Sequence, residues 1–261
     1  MANIAVQPAT PADQNRAQSL SHKLNLPLLE QAADLTKQTD FQAALHVAGE
    51  SLSLRQTGPG APGPVAVDFG AGNMRHRRRG RSNELLGRAV GVGKKKPLRV
   101  LDATAGLARD AFVLADLGCQ VQLCERHPVI ASLIESGMAC ALDGEDPWLR
   151  DVVSRMRLFT GDARELSDLP AECDVIYLDP MFPARDKSAA VKKEMALFQL
   201  LLDSAPGAAP QDDLLDWACT QSVARVVQKR PLKAPVVSRE PSHCIRGRAV
   251  RYDVYVIRSL S

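Results

Sequence analysis

The segment Leu98–Asp110, with the sequence LRVLDATAGLARD, decides the fold class of this chain. Its first five residues predict a buried strand that ends at Asp102, and a helix is predicted to begin at Arg109. The small residues between them, Gly106 included, allow the backbone to approach a ligand closely. An acidic strand end before such a turn is typical of a site for a nucleotide-like ligand, although a plain strand-to-helix turn has the same pattern.

Strand and helix patterns alternate along the rest of the C-terminal two thirds of the chain, which is typical of a parallel sheet covered by helices. A closing antiparallel hairpin is predicted over 243–257. Such a hairpin favours an α/β fold with the Rossmann-like sheet of class I methyltransferases over the plain dinucleotide-binding fold. The further predicted strands are 121–125, 157–160, 174–179 and 224–229, and the predicted helices are 109–117, 128–142, 192–202 and 212–220.

Residues 1–72 are richer in turn signals and predict a small N-terminal accessory region of α+β type. An apolar period over 24–35 predicts a helix. LSLR at 52–55 and VAVDF at 65–69 predict two strands of a hairpin, joined by the Pro- and Gly-rich stretch 57–64. The predicted domains are therefore the N-terminal region 1–72, a basic connecting segment 73–96 and a catalytic domain 97–261.

Composition sets limits on the class of protein. The hydrophobic fraction of 45% and the charged fraction of 24% are those of an ordinary globular protein. No apolar run is long enough to span a membrane, and the N-terminus lacks the features of a secretory signal, so we expect a cytoplasmic protein. The six cysteines and five histidines are scattered without ligand spacing, so we expect no metal site.

A second acidic residue, Glu125, ends the second predicted strand, 23 residues after Asp102. This spacing is close to the offset at which a carboxylate binds the ribose hydroxyls of a bound nucleotide. The neighbouring Arg126 is a candidate for flanking the adenine, or a plain surface charge. We therefore assign Asp102, Gly106, Glu125 and Arg126 to a cofactor site.

Gly161 and Asp162 follow the third predicted strand. In this fold that position lies against the adenine, where a short carboxylate can accept a hydrogen bond from the amino group. Gly-Asp is also common in ordinary turns, which is the alternative at this point.

The fourth predicted strand leads into Asp179-Pro180-Met181-Phe182-Pro183. An exocyclic base amine is a poor nucleophile because its lone pair is delocalised into the ring. The Asp179 carboxylate and the Pro180 carbonyl could hold the two amine protons, and Phe182 could stack on the base. Catalysis would then depend mainly on positioning, without metal or covalent intermediate. A strand stop with a buried Phe is the alternative.

Positive charge is clustered although the net charge is only +3. The block at 75–81 and the three lysines at 94–96 precede the cofactor motif. Such blocks attract polyanions, because each neutralised phosphate releases counterions, whereas a solvated linker is the alternative. We predict that RNA binds to Arg75, Arg77, Arg78, Arg79, Lys192 and Lys193.

Several motifs resemble those of the bacterial ribosomal RNA small subunit methyltransferase J family, over about residues 65–260. They are LDATAGLARDAFVLA at 101–115, YLDPMFP at 177–183, KSA at 187–189, VKKEM at 191–195, HRRR at 76–79 and VQKRP at 227–231.

The resemblance implies methylation of a guanine N2 near the 3′ end of 16S rRNA, either as RNA or within the small ribosomal subunit. It also implies S-adenosylmethionine as the methyl donor. The cofactor residues that it implies are Arg109, Asp110, Glu125, Arg126, Gly161, Asp162 and Asp179. Ala108 stands where the usual G-x-G has its second glycine.

Three other activities fit parts of the sequence. An amino-methyltransferase acting on DNA adenine or a protein amide would use the same Asp179-Pro180 chemistry. A non-catalytic RNA-binding protein could keep the fold without turnover. A nicotinamide dehydrogenase would need a G-x-G-x-x-G loop, of which only Gly106 is present.

Overall fold

The structure, a computed structural model, describes residues 3–72, 74, 81–166, 173–180, 201, 211–234 and 239–260. These residues form two compact units. The first holds the described residues of 1–68 and 127–143, together with Leu201, and the second holds those of 69–126, 144–183 and 209–261.

The first unit is built on a three-stranded sheet with two helices. Its elements are β1 Ile4–Pro8, α1 Gln14–Leu24, β2 Ala43–Ala48, β3 Ser51–Gln56 and α4 Pro128–Asp143. Strand β1 pairs parallel with β2, and β2 pairs antiparallel with β3. Helix α4 packs on β3, where Ser136 Oγ accepts from the Leu52 amide at 2.9 Å and donates to the Glu50 carbonyl at 2.7 Å.

The helix predicted over 24–35 is wrong, because α1 ends where that helix was expected to begin. Asn25 adopts the left-handed conformation that caps α1, and Pro27 has no amide proton to continue a helix. The apolar residues beyond it run alongside β1 instead, where Val6 N donates to Pro27 O and Leu29 N donates to Val6 O, both at 2.8 Å.

The hairpin predicted between 52–55 and 65–69 is only partly confirmed. The first strand is present as β3, but its hairpin partner is β2, across the turn at Gly49 and Glu50. Val65 makes an isolated antiparallel bridge to Leu54. The Pro- and Gly-rich stretch between them leaves only this short pairing, because proline lacks the amide donor that a ladder needs.

The second unit is built on a seven-stranded sheet. The strands are β4 Arg99–Asp102, β5 Gln120–Glu125, β6 Met156–Thr160, β7 Val175–Leu178, β8 Arg225–Pro231, β9 His243–Arg246 and β10 Val250–Val256. Their order in the sheet is β6-β5-β4-β7-β8-β10-β9. Strands β4 to β8 run parallel, and β10 pairs antiparallel with both β8 and β9. Its helices are α2 Arg81–Val90, α3 Arg109–Asp116, α5 Pro147–Val153 and α6 Gln211–Thr220.

This sheet confirms the predicted α/β class, with parallel strands and a terminal antiparallel hairpin. Helix α5 was not predicted, although Asp146 before Pro147 is a recognisable start signal. The Asp146 side chain accepts from the Trp148 amide at 3.0 Å. The helix predicted over 192–202 lies outside the described residues, except for Leu201, and the proposed domain boundaries remain predictions.

One face of the seven-stranded sheet is covered by α6. Ile176, Leu178 and Val226 are buried there against Leu215 and Ala218. The parallel strands β4 to β8 all end at one edge of the sheet, called the carboxyl edge below. In a doubly wound sheet, ligands bind beyond this edge.

Candidate active site

Asp102 is the last residue of β4 and is almost fully buried at the carboxyl edge. Its Oδ1 accepts from the Thr104 amide at 3.1 Å. Burial first, and then the nearby carboxylates of Asp110 and Asp179, raise the pKa of the Asp102 carboxyl to about 8, against the opposing Thr104 hydrogen bond. Asp102 therefore resists carrying a third negative charge in this place.

The turn after Asp102 is bound to the ends of both neighbouring strands. Ala103 N donates to Tyr177 O on β7, and Ala105 N donates to Cys124 O on β5, both at 3.0 Å. Gly106 N donates to Glu125 Oε2 at 3.0 Å, so the carboxylate predicted to bind ribose also holds this turn. These bonds confirm that Gly106 and Glu125 lie together at the carboxyl edge.

Backbone geometry in this turn leaves space at its apex. Gly106 has a φ of +55°, and a Cβ added there would meet no atom closer than the Thr104 carbonyl oxygen, at 4.0 Å. Ala108 adopts a similar left-handed conformation at the start of α3, although it carries a Cβ. The turn therefore presents open space beside the Glu125 carboxylate.

Asp110 lies in the first turn of α3, next to Arg109, and its side chain points into a polar network within the protein. Asp110 Oδ2 accepts from the Tyr177 hydroxyl at 2.7 Å and from Lys229 Nζ at 2.6 Å. Tyr177 is fully buried, and burial first, then Asp110, raises the pKa of its hydroxyl well above the ordinary value. Tyr177 therefore stays protonated and serves as a donor to Asp110.

Asp179 follows β7 directly and is held from two sides. Its amide donates to Thr104 Oγ1 at 2.6 Å, and its Oδ2 accepts from Lys229 Nζ at 2.7 Å. Asp179 and Pro180 are both half-buried at the carboxyl edge. The predicted Asp179-Pro180 pair thus lies beside the turn that carries Gly106, whereas Phe182 lies outside the described residues.

Lys229 was given no role in the sequence analysis beyond its place in the motif at 227–231, yet it joins the site. Burial alone would lower the pKa of Lys229, but the charges of Asp110 and Asp179 outweigh burial and raise it. Lys229 is therefore a cation between two carboxylates. The sequence signal for it is a lysine that follows the apolar pair Val226-Val227, close to the carboxyl end of the strand RVVQKRP.

Gly161 and Asp162 also lie at the carboxyl edge, after β6. Gly161 N donates to the Glu125 carbonyl at 2.9 Å, and a Cβ at Gly161 would come within 2.6 Å of the Phe159 ring. Asp162 pairs with Arg164, whose Nη2 lies 2.6 Å from Oδ2. That hydrogen bond is the main reason why the pKa of Asp162 is lowered.

Several of the predicted cofactor residues are connected by hydrogen bonds. Gly106 and Gly161 both donate to Glu125, and Asp110 and Asp179 are joined through Lys229. Arg126 is exposed just after β5, where its charge acts on Asp162. The contacts of all these residues with a cofactor remain predictions. The predicted RNA-binding residues Arg75, Arg77, Arg78, Arg79, Lys192 and Lys193 lie outside the described residues.

Similarity to known proteins identifies the family. Residues 28–257 match the family model SAM_MT, which describes SAM-dependent methyltransferases. The ribosomal RNA small subunit methyltransferase J of Pseudomonas fluorescens strain Pf0-1 is 43% identical over 264 residues, 98% of this chain and 96% of that protein. The same-named protein of Dechloromonas aromatica strain RCB is 45% identical over 258 residues, 96% of this chain and 98% of that protein. The chain belongs to the ribosomal RNA small subunit methyltransferase J family.

A solved structure supports the methyltransferase J assignment at the level of the fold. The SAM-dependent methyltransferase NGO1261 from Neisseria gonorrhoeae superimposes with a TM-score of 0.69 and 32% identity, covering 97% of this chain and 95% of that one. Membership in the family confirms the prediction that this chain is an S-adenosylmethionine-dependent enzyme, and it excludes the alternative of a nicotinamide dehydrogenase.

The residues present fit S-adenosylmethionine. A ribose diol is neutral and can donate two hydrogen bonds, which suits the Glu125 carboxylate. The open space at the Gly106 apex lets a ligand approach the backbone. Asp110 and Asp179 together carry one negative charge more than Lys229 neutralises, which suits the positive charge of a sulfonium group. In the part of the chain that the structure describes, no group of three acidic, His or Cys residues could hold a metal ion, and no helix could span a membrane.

Proposed function

We propose that this methyltransferase transfers a methyl group from S-adenosylmethionine to the exocyclic N2 of a guanosine near the 3′ end of 16S rRNA. The names of its relatives support rRNA of the small subunit as the substrate. The observation that carries the chemistry is the half-buried Asp179-Pro180 pair at the carboxyl edge, with Asp179 fixed by Thr104 and Lys229.

The chain's own residues would do three things for this reaction. Glu125 and the Gly106 turn would bind the ribose. The Asp179 carboxylate and the Pro180 carbonyl would accept hydrogen bonds from the two N2 protons and direct the lone pair outward. The bound S-adenosylmethionine supplies an activated methyl group, so a near-attack geometry is the main requirement. As the N–C bond forms and the bond between the methyl carbon and the donor sulfur breaks, N2 would lose one proton along its hydrogen bond to Asp179 towards solvent.

Two further contacts are proposed on sequence grounds alone. Phe182 would stack on the base, and the RNA phosphates would be bound by Arg75, Arg77, Arg78, Arg79, Lys192 and Lys193. The substrate is 16S rRNA or the assembled small subunit, which places the enzyme in the cytoplasm. Since no residue of the proposed chemistry needs a metal, activity should survive treatment with a chelator.

The test is transfer of labelled methyl groups to 16S rRNA from cells that lack this enzyme, offered both as naked RNA and as 30S particles. Label on one guanine N2 near the 3′ end is the expected result. Label on DNA adenine or on a protein amide would support the alternative amino-methyltransferase. Label on another rRNA position would reject the proposed target while keeping the chemistry.

A further inference from the structure

The turn between β9 and β10 lies at the carboxyl edge, where the reaction is placed. Because β10 is antiparallel to β8, its first residue, Val250, pairs with the last residue of β8, Pro231. Gly247 N closes the turn by donating to Val250 O at 2.8 Å. Neighbouring strands are about 4.8 Å apart, so β10 and β9 lie roughly 10 and 14 Å from β7, whose end carries Asp179.

This turn and the segment after β8 carry three exposed cations, Lys233, Arg246 and Arg248, called the hairpin cluster below. The two segments are hydrogen-bonded to each other, since Leu232 N donates to Ala249 O at 3.1 Å. In the described part of the chain, no carboxylate forms an ion pair with any of the three. Their positive charges are therefore available to a ligand.

Acidic residues do little to offset this charge. Between β8 and the C-terminus the sequence has only Glu240 and Asp253. Asp253 is almost fully buried. Glu240 precedes β9, whose first residue pairs with Val254 towards the opposite edge of the sheet. Among the described residues of 231–250, the charges at the carboxyl edge are therefore all positive.

The backbone under the hairpin cluster is braced from within. Arg251 Nη1 donates to the carbonyls of Leu232 and Ala234, at 3.1 and 2.9 Å, and so holds the turn that carries Lys233. Arg251 Nε in turn donates to the buried Asp253 at 2.9 Å. A surface that is already ordered loses less entropy when it binds a partner.

We propose that the hairpin cluster binds the phosphate backbone of the RNA strand on one side of the nucleotide presented to Asp179. This rests on the proposed function, because the ligand is the substrate RNA itself. Two arginines suit phosphate oxygens through paired N–H donors, and the lysine adds a point charge. Phosphate contacts fix the register of the strand without choosing the base. The cluster is separate from the predicted block at 75–81.

The experiment compares the full-length enzyme with an Arg246→Ala/Arg248→Ala variant. Affinity for unmethylated 16S rRNA is measured across a salt series, alongside affinity for S-adenosylmethionine. Each lost phosphate contact should reduce the slope of log affinity against log salt by about 0.7 to 0.9. Cofactor affinity and the position of the methylated nucleotide should stay as in the wild type. Arg246→Lys/Arg248→Lys should keep most of the slope.

A matched control is Arg239→Ala/Arg258→Ala, which also removes two exposed arginines. Arg258 lies at the opposite edge, where its amide donates to Ala224 O at 3.0 Å, and Arg239 lies near Tyr255. Their loss should leave the salt slope unchanged. An equal reduction in both variants would show a net-charge effect and overturn the inference, as would no reduction in either. A wild-type enzyme that methylates no 16S rRNA would instead contradict the proposed function.

Discussion

Lys229 Nζ lies 2.7 Å from Asp179 Oδ2 and 2.6 Å from Asp110 Oδ2, so one ammonium group joins the end of β7 to the start of α3. The acceptor carboxylate is therefore positioned by a residue 50 positions further along the chain. Tyr177 donates to the same oxygen of Asp110 and completes the network. We therefore expect Lys229 to act as a positioning residue through Asp179.

Replacing Lys229 with Met should lower kcat by at least ~10-fold, a small part of what positioning can contribute. Without the cation, protonation of Asp179 and Asp110 becomes easier, so the acid limb of the kcat profile should move to higher pH. Lys229→Arg should return the acid limb of the kcat profile to its wild-type pH and should restore part of kcat. A Lys229→Met enzyme with lower kcat and an unmoved acid limb would contradict this role.

The same variant should lose stability, because it leaves the buried Asp110 and the half-buried Asp179 without their cation. The cost should be about 3 kcal/mol, at the low end for a broken buried pair because Asp179 is partly exposed. Folding raises the pKa of Lys229, so its contribution is complete below pH ~10 and is lost as pH rises through the folded value. Denaturant unfolding of both proteins between pH 7 and 11 should show a constant difference in unfolding free energy up to pH ~10, and a falling difference above it.

Asp179→Ala should reduce turnover by at least ~10²-fold while cofactor affinity falls much less, because the proposed role is to orient the acceptor amine. Asp179→Asn is the control, since it keeps the shape but has only one acceptor oxygen. Single-turnover methyl transfer with saturating cofactor is the measurement. Near-normal transfer by Asp179→Ala would reject the mechanism.

Glu125→Ala should weaken S-adenosylmethionine binding by about 1.5–3 kcal/mol, the range for hydrogen bonds to a charged group. Part of this loss would come from the Gly106 turn, since Gly106 N donates to Glu125 Oε2. Glu125→Gln keeps an acceptor for that amide, so its smaller loss would report the ribose contact alone. Calorimetry on both variants gives the two values. An unchanged Kd in a folded Glu125→Ala protein would reject the assignment.

Asp102→Asn should make the protein more stable, and more so as pH rises. Burial, together with the neighbouring carboxylates, raises the pKa of Asp102 in the folded protein from its ordinary value of 3.8 to about 8, so the folded state holds a proton that the unfolded state has lost. Wild-type stability should therefore fall between these values, by at most ~1.4 kcal/mol per pH unit relative to the variant. Unfolding free energies from pH 5 to 8 should diverge steadily. Parallel curves would show that Asp102 ionises normally in the folded protein.

Replacing Arg77, Arg78 and Arg79 with Ala should weaken RNA binding and flatten its salt dependence, by about 0.7 to 0.9 per lost contact. Cofactor binding and the methylated nucleotide should be unaffected, because phosphate contacts do not choose the base. An unchanged salt slope would mean that the block is a solvated linker. Combining this variant with Arg246→Ala/Arg248→Ala tests whether the reductions in salt slope from the two surfaces are additive.

Local pattern was enough for much of this protein. The segment Leu98–Asp110 predicted the first strand, the turn and α3, because strand and helix periods and small residues report directly on short-range geometry. The acidic strand ends at Asp102 and Glu125 were predicted together, since parallel strands must end at one edge. One misreading arose where a local stop signal outweighed the period, at Asn25 and Pro27, so that α1 ends before the predicted helix. The predicted hairpin of 52–55 with 65–69 failed for another reason, because β3 pairs with β2 instead.

Tertiary structure decided which distant residues meet. No local period indicates that Lys229 reaches Asp110, or that Gly106 N finds the Glu125 side chain. These contacts depend on strand order, in which β7 and β8 are neighbours, and on the register between strands far apart in the chain. The antiparallel direction of β10 likewise brings Arg248 to the carboxyl edge. The physical reason is that side-chain periodicity is set within one element, whereas an ion pair needs the packing of several elements to bring its two partners within a few ångströms.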